Sequence, residues 1–181
     1  DANLGPLICE HPSIPKISFT GSTATGKKIM ASAAKNLKSL TLELGGNNAS
    51  IVCKNVDINI VAPQVALGSF FNSGQLCVAS KRVFVHKDIY REFLKKMVET
   101  VKSWKVGPPT AKGVMIGPVQ NEMQYRIIKT FFKDSADNGY KFALGGNSVL
   151  DDSNFIIPPA IIDNPPDDSL VVRGEAFGEC F

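Results

Sequence analysis

An α/β fold, a mainly parallel sheet with helices on both faces, is what this 181-residue chain predicts. Three observations carry that expectation. Short runs with a two-residue apolar period alternate along the chain with longer runs of helical period. Glycine-bearing turns stand where strands end, as in Thr20-Gly21-Ser22 and Leu44-Gly45-Gly46. The apolar fraction, 44%, is that of a globular protein, and the length suffices for one good core or a domain with part of another.

Bulk properties exclude several classes. The formal charge of +3 comes from lysines scattered among acids, with no basic stripe interleaved with aromatics, so no nucleic acid partner is expected. No apolar run is long enough to cross a bilayer, and Asp1-Ala2-Asn3 does not open a signal peptide, so no membrane association is expected either. Cys9, Cys53, Cys77 and Cys180 lie far apart, and there are only two histidines. Neither a metal site nor a disulfide framework is suggested, and a reducing, cytoplasmic setting fits.

Residues 16–20 read as a strand. Gly21-Ser22-Thr23-Ala24-Thr25-Gly26-Lys27-Lys28 then opens a helix to about Asn36, with Ile29, Met30 and Ala33 on one face. A strand, a glycine-bearing turn and a helix start form an anion-binding arrangement, because the first N–H groups of the helix are free and its dipole adds to them. The segment also matches most of a G-x-x-x-x-G-K loop. Lys28, however, stands where a Mg²⁺ ligand would have to be Ser or Thr, so an NTPase is not expected. A plain strand-to-helix turn explains the segment equally well.

In the next strand Leu40, Leu42 and Leu44 share one face, Thr41 and Glu43 the other. Glu43 thus stands at a strand end, a common place for a working carboxylate, although a solvated edge charge is the commoner meaning of such a residue. Residues 49–53 read as a further strand with Cys53 in the core. A helix beginning near Asn59, which keeps Pro63 in its first turn, runs through Val65 and Leu67 to about Phe71.

That helix delivers Asn72-Ser73-Gly74-Gln75-Leu76-Cys77, and a strand over 82–86 follows. A thiol at such a turn can meet a ligand while flanking elements hold it still. A lone cysteine is otherwise most often a small buried hydrophobe. Asp88 is expected to cap a helix carrying Phe93, Leu94, Met97, Val98, Val101 and Trp104 inward, stopped by Gly107-Pro108-Pro109. Asn121 caps the next, with Met123, Ile127, Ile128, Phe131 and Phe132 on its inner face and Gly139 past its end. Residues 142–144 and 155–162 read as strands, the second broken by Pro158-Pro159.

Four segments stand in order: Phe19-Thr20-Gly21-Ser22 with Gly26, Leu42-Glu43-Leu44-Gly45-Gly46, Gly74-Gln75-Leu76-Cys77, and Gly174-Glu175-Ala176-Phe177-Gly178. Together they resemble the NAD(P)-dependent aldehyde dehydrogenase superfamily over nearly the whole chain. The resemblance implies Cys77 as the nucleophile and Glu43 as the acid that activates the hydrolytic water. It also implies cofactor contacts for Gly21, Ser22, Glu175 and Phe177, with Ser22 at the pyrophosphate and Glu175 at the nicotinamide ribose. The implied cofactor is NAD or NADP, and the implied substrate is a small-molecule aldehyde. The implied reaction is oxidation to a carboxylic acid through a thiohemiacetal and thioester on the cysteine. A folded fragment without turnover and a thiol esterase are the alternative functions.

This chain also departs from the family. The family's chain is much longer, and its earlier part supplies most of the cofactor sheet, a lysine and an oxyanion-hole asparagine. Its oligomerisation strands have no counterpart here, so a homo-oligomer is expected of the full-length form only. Residues 1–45 would be the tail of the dinucleotide-binding domain and 46–181 the catalytic domain, incomplete at its C-terminal end. Asn47 stands where many members carry lysine, and Gly178-Glu179 where they carry Gly-Pro.

Overall fold

The computed structural model describes residues 3–146 and 154–181. They fall into two compact units, Asp1–Gly46 and Asn47–Phe181.

The first unit contains α1 (Leu4–Glu10), β1 (Lys16–Gly21), α2 (Thr23–Ala34) and β2 (Ser39–Leu44). β1 and β2 pair in parallel, from Lys16 opposite Ser39 to Gly21 opposite Leu44, with α2 as the crossover. α2 starts where it does because the Ser22 hydroxyl accepts the Thr25 N–H at 3.2 Å. Gly26 is buried because the helix lies close on the strand: a β-carbon there would come within 2.7 Å of Leu44 Cδ2. The glycine that completed the apparent phosphate loop is therefore a packing residue inside a helix. Cys9, Ile17 and Ala33 form the small core, with Ile14, Ile29 and Leu40 against it. Met30 is exposed, contrary to expectation. The stripe through Ile29 and Ala33 leaves the next position about 100° round the helix, facing water.

The second unit begins with β3 (Asn48–Val52), α3 (Ile58–Phe70), a 3₁₀ turn over Phe71–Gly74, and β4 (Ser80–Val85). β3 and β4 pair in parallel. α4 (Tyr90–Lys102), β5 (Lys105–Val106), β6 (Val114–Ile116) and α5 (Glu122–Asp137) follow, then β7 (Phe142–Leu144), β8 (Ile161–Ile162) and α6 (Leu170–Arg173). β5 pairs with β6 in parallel, β7 with β8 antiparallel. Among the described residues three of the four strand pairs are parallel, and helices alternate with strands, so the α/β class holds.

The core of this unit gathers Val52, Ala62, Ala66, Phe70, Phe93, Met97, Val101, Ile116, Ile161 and Phe181. Phe70 sits at its centre, 4.9 Å from the Phe181 ring and 6.0 Å from that of Trp104. The inward stripe of α4 is the one its spacing predicts, with Phe93, Met97 and Val101 buried.

Several local expectations are corrected. Cys53 is exposed: β3 ends at Val52, which takes the buried position, and the alternation sends the next side chain the other way. α3 starts one residue earlier than expected, capped by Asp57 on the Asn59 N–H at 2.9 Å, so Pro63 lies beyond the first turn. Asp88 caps nothing; its N–H donates to His86 Nδ1 at 3.3 Å and α4 begins after Ile89. In α5 the buried stripe is Tyr125, Ile128, Phe131 and Ser135, while Met123 and Ile127 are exposed. The strand expected over 155–162 is reduced to Ile161–Ile162, because Phe155 has φ of +53° and two prolines follow. Among the described residues no helix is long and apolar enough to cross a membrane.

Candidate active site

The turn presenting Cys77 is strained at its base. Asn72, Ser73 and Gly74 have φ of +54°, +56° and +68° in succession. For the two non-glycine residues that backbone costs about 1–2 kcal/mol each. The surroundings enforce it: Ser73 Oγ donates to the Gly117 carbonyl at 3.2 Å and accepts the Gly117 N–H at 3.1 Å. Gln75 Oε1 accepts the Gln120 N–H at 2.9 Å. On the far side, Asn48 Nδ2 donates to the carbonyls of Cys77, at 2.5 Å, and Ala79, at 3.1 Å. The backbone is fixed on both flanks while the Cys77 thiol is free and exposed.

The segment 174–178 meets this turn from the other direction. A β-carbon on Gly74 would lie 2.2 Å from the Gly178 carbonyl oxygen, so glycine is required by contact as well as by φ. Gln124 Nε2 donates to the carbonyls of Ala176, at 2.8 Å, and Phe177, at 3.2 Å. Phe177 has φ of +47°. Glu175 and Phe177 are both half-buried. The connection 117–124 thus braces two loops at once, the one carrying Cys77 and the one carrying Glu175 and Phe177.

In the first unit, Gly21, Ser22 and Glu43 come to one end of the β1–β2 pair. Thr20 lies opposite Glu43 and Gly21 opposite Leu44, at the carboxyl ends of two parallel strands, the usual ligand-binding edge of such sheets. Glu43 is exposed, on the polar row of β2. Ser22 caps a twelve-residue helix with no acidic residue in its first turn. The N–H groups of Thr23 and Ala24 precede the first intrahelical bond, that of Gly26 to the Ser22 carbonyl at 2.9 Å. Such a donor set fits a phosphate group.

Sequence reading did not find Asn48, Ser73, Gln75 or Gln124 as supports of these turns. Gln124 carries the clearest signal in retrospect. It stands three residues after the cap Asn121, where a capping box would turn its side chain back to the helix start. Asn121 does accept the Gln124 N–H at 2.9 Å, but the side-chain amide reaches the other loop instead.

The chain is similar to known proteins over nearly its whole length. The sequence model of the aldehyde dehydrogenase family matches residues 1–180. The aldehyde dehydrogenase LUC3 of a Fusarium species is 40% identical over 176 residues, which are 97% of this chain and 37% of that protein. A variant of aldehyde dehydrogenase C from Pseudomonas syringae, crystallised with NAD+ and octanal, superposes with a TM-score of 0.92 at 27% identity. It covers 97% of this chain and 37% of its own. An NAD+ complex of aldehyde dehydrogenase from Bacillus cereus gives 0.91 at 32% identity, covering 97% and 36%. The chain spans about a third of the length of the relatives it matches. With the family model matched almost from end to end, and the strained cysteine turn and capped helix start in place, this chain belongs to the aldehyde dehydrogenase family.

Proposed function

We propose that this chain carries the nucleophile and part of the cofactor site of an enzyme that oxidises an aldehyde to a carboxylic acid. The observation that carries the proposal is the Cys77 turn: a free, exposed thiol that follows the left-handed Asn72–Gly74 backbone, with hydrogen bonds fixing the turn on both flanks. In the proposed reaction the Cys77 thiolate attacks the aldehyde carbon, a C–S bond forms, and the carbonyl π electrons move to oxygen. The Cys77 N–H is assigned to that developing oxyanion. Loss of hydride then leaves a thioester on Cys77. Glu43 is assigned to take a proton from the water that hydrolyses it, returning the thiol and releasing the acid.

NAD or NADP, when bound, supplies the hydride acceptor. Its phosphates are assigned to Gly21, Ser22 and the start of α2, whose donors and lack of acids suit an anion. Glu175, with the backbone at Phe177, is assigned to the nicotinamide ribose, since a carboxylate is the natural acceptor for two sugar hydroxyls. Residues 1–45 are accordingly assigned to the cofactor domain and 46–181 to the catalytic domain. The substrate class is a small-molecule aldehyde. The wide spacing of the four cysteines in the sequence, without a disulfide framework, is the basis for assigning a reducing, cytoplasmic setting.

The test is NADH formation from a simple aldehyde, run beside hydrolysis of an activated ester. Cys77→Ser is expected to abolish both. Glu43→Gln is expected to abolish steady release of acid while leaving Cys77 open to acylation. Activity surviving Cys77→Ser would remove the cysteine from the mechanism. Ester cleavage that needs Glu43 and is indifferent to NAD would favour a thiol esterase.

A further inference from the structure

Immediately after the cysteine turn, β4 places a charged residue in its inward row. Lys81 shares that row with Val83 and Val85 yet is only 5% exposed. Its ammonium passes Gly74, where a β-carbon would lie 2.5 Å from Nζ. It donates to the carbonyl of Gly178 and, at 3.4 Å, to that of Ser69 in the last turn of α3. One cation therefore joins the end of the helix leading to the cysteine turn, the left-handed base of that turn, and the segment carrying Glu175 and Phe177. A lysine at a helix C-terminus is also favoured by the dipole.

Glu179 is its ionisable neighbour, fully buried, with neither carboxyl oxygen in a hydrogen bond. Burial raises its carboxyl above the usual range, while its own backbone N–H, the Lys81 ammonium and the Ser73 hydroxyl favour the charged form. The ionisable groups facing Lys81 are the Cys180 thiol and the Glu179 and Glu175 carboxyls. A buried lysine beside a buried carboxyl to which it makes no hydrogen bond is a poor device for stability alone. Its geometry suits the fixing of a register between two loops.

We propose that Lys81 is a positioning residue, which holds the 174–178 segment in register with the turn presenting Cys77 by tethering the Gly178 carbonyl past Gly74. Its consequence for reaction rests on the reading of Cys77 and Glu175 given above; the tether itself does not.

The test therefore uses neither aldehyde nor cofactor. Amide hydrogen exchange is followed over 72–78 and 174–179 in the wild type, in Lys81→Met and in Lys81→Met with Glu179→Met. The double variant removes both buried ionisable groups, so it is expected to fold even where the single variant does not. In parallel, the iodoacetamide labelling rate of Cys77 is measured against that of Cys53, an exposed thiol on another turn. In both variants, exchange in the two segments is expected to rise about tenfold and the labelling ratio to change about threefold, even where the double variant regains the wild-type urea midpoint. Wild-type exchange in the double variant at matched stability would overturn the proposal, because Lys81 would then matter only as a buried charge. Unchanged exchange in Lys81→Met would overturn it too. Failure of the Cys77 chemistry would leave these exchange results untouched.

Discussion

The side chain of Asn48 donates to the carbonyl of Cys77 at 2.5 Å, across the gap between the first residue of β3 and the turn that precedes β4. A residue at the mouth of one parallel strand thus fixes the backbone of Cys77 at the mouth of its neighbour. The second bond from the same amide, to Ala79 at 3.1 Å, closes the clamp.

Asn48→Ala removes two donors and leaves two carbonyls to water. The expected loss of stability is about 1–2 kcal/mol in urea unfolding. Asn48→Asp keeps the shape but places an acceptor against both carbonyls, and its loss is expected to be at least as large. Equal stability of all three proteins would show that the clamp is not formed in solution.

Gly74 and Gly26 are both tightly packed, but for different reasons. Gly74 has φ of +68° and faces backbone, whereas Gly26 is helical and faces the flexible end of Leu44. Gly74→Ala is expected to cost about 2 kcal/mol or more. Gly26→Ala is expected to cost about 1 kcal/mol or less, since Leu44 can turn aside and alanine favours the helix. Thermal unfolding of the two variants checks the order.

Asp163 predicts a loss of stability in acid. Its side chain is 9% exposed. The Lys141 ammonium, at 2.6 Å, and the Tyr90 hydroxyl hold its carboxyl below the usual carboxylate range. A depressed carboxyl contributes stability above its unfolded pKa, and that contribution disappears as pH falls through the folded value. Lys141→Met is expected to reduce stability near neutrality and to flatten the acid limb below about pH 4. A parallel downward shift at every pH would contradict this.

Glu179 and Lys81 predict the opposite limb. Burial pushes the Glu179 carboxyl from 4.5 up to about 8 and the Lys81 ammonium from 10.5 down to about 8. A raised carboxyl favours the fold below pH 4.5, and that advantage is lost as pH climbs to about 8. A lowered ammonium penalises the fold below about 8, and the penalty lifts between 8 and 10.5. Stability is therefore expected to sag near pH 8. In Glu179→Gln the decline between pH 4.5 and 8 should be reduced, as measured by urea midpoints across that range.

The periodic parts of this architecture were legible in the sequence. The caps Ser22 and Asn121 do as their residue types require, and the stripe of α4 is set by spacing alone. Phase was less secure: in α5 the inward face lies on Tyr125 and Ser135 rather than Met123, because packing against Phe155 and α6 outranks hydrophobicity. β5, β6 and β8 have two or three residues each, and their existence depends on partners far along the chain. The short helices α1 and α6 lack the length that gives a readable period. In each unit by itself, the strand end carrying Glu43 and the turn carrying Cys77 follow from local pattern. Lys81 does not, since a lysine reads as solvated until the glycine that makes room for it and the carbonyl that accepts it are both in view.

Reversible addition of an aldehyde to the Cys77 sulfur is the step on which the account depends. It is tested by peptide-resolved iodoacetamide labelling with and without preincubation with a simple aldehyde. The account predicts that the aldehyde slows labelling of Cys77 while Cys53, also free and exposed, is labelled at its original rate. Equal slowing of both thiols, or of neither, would contradict it.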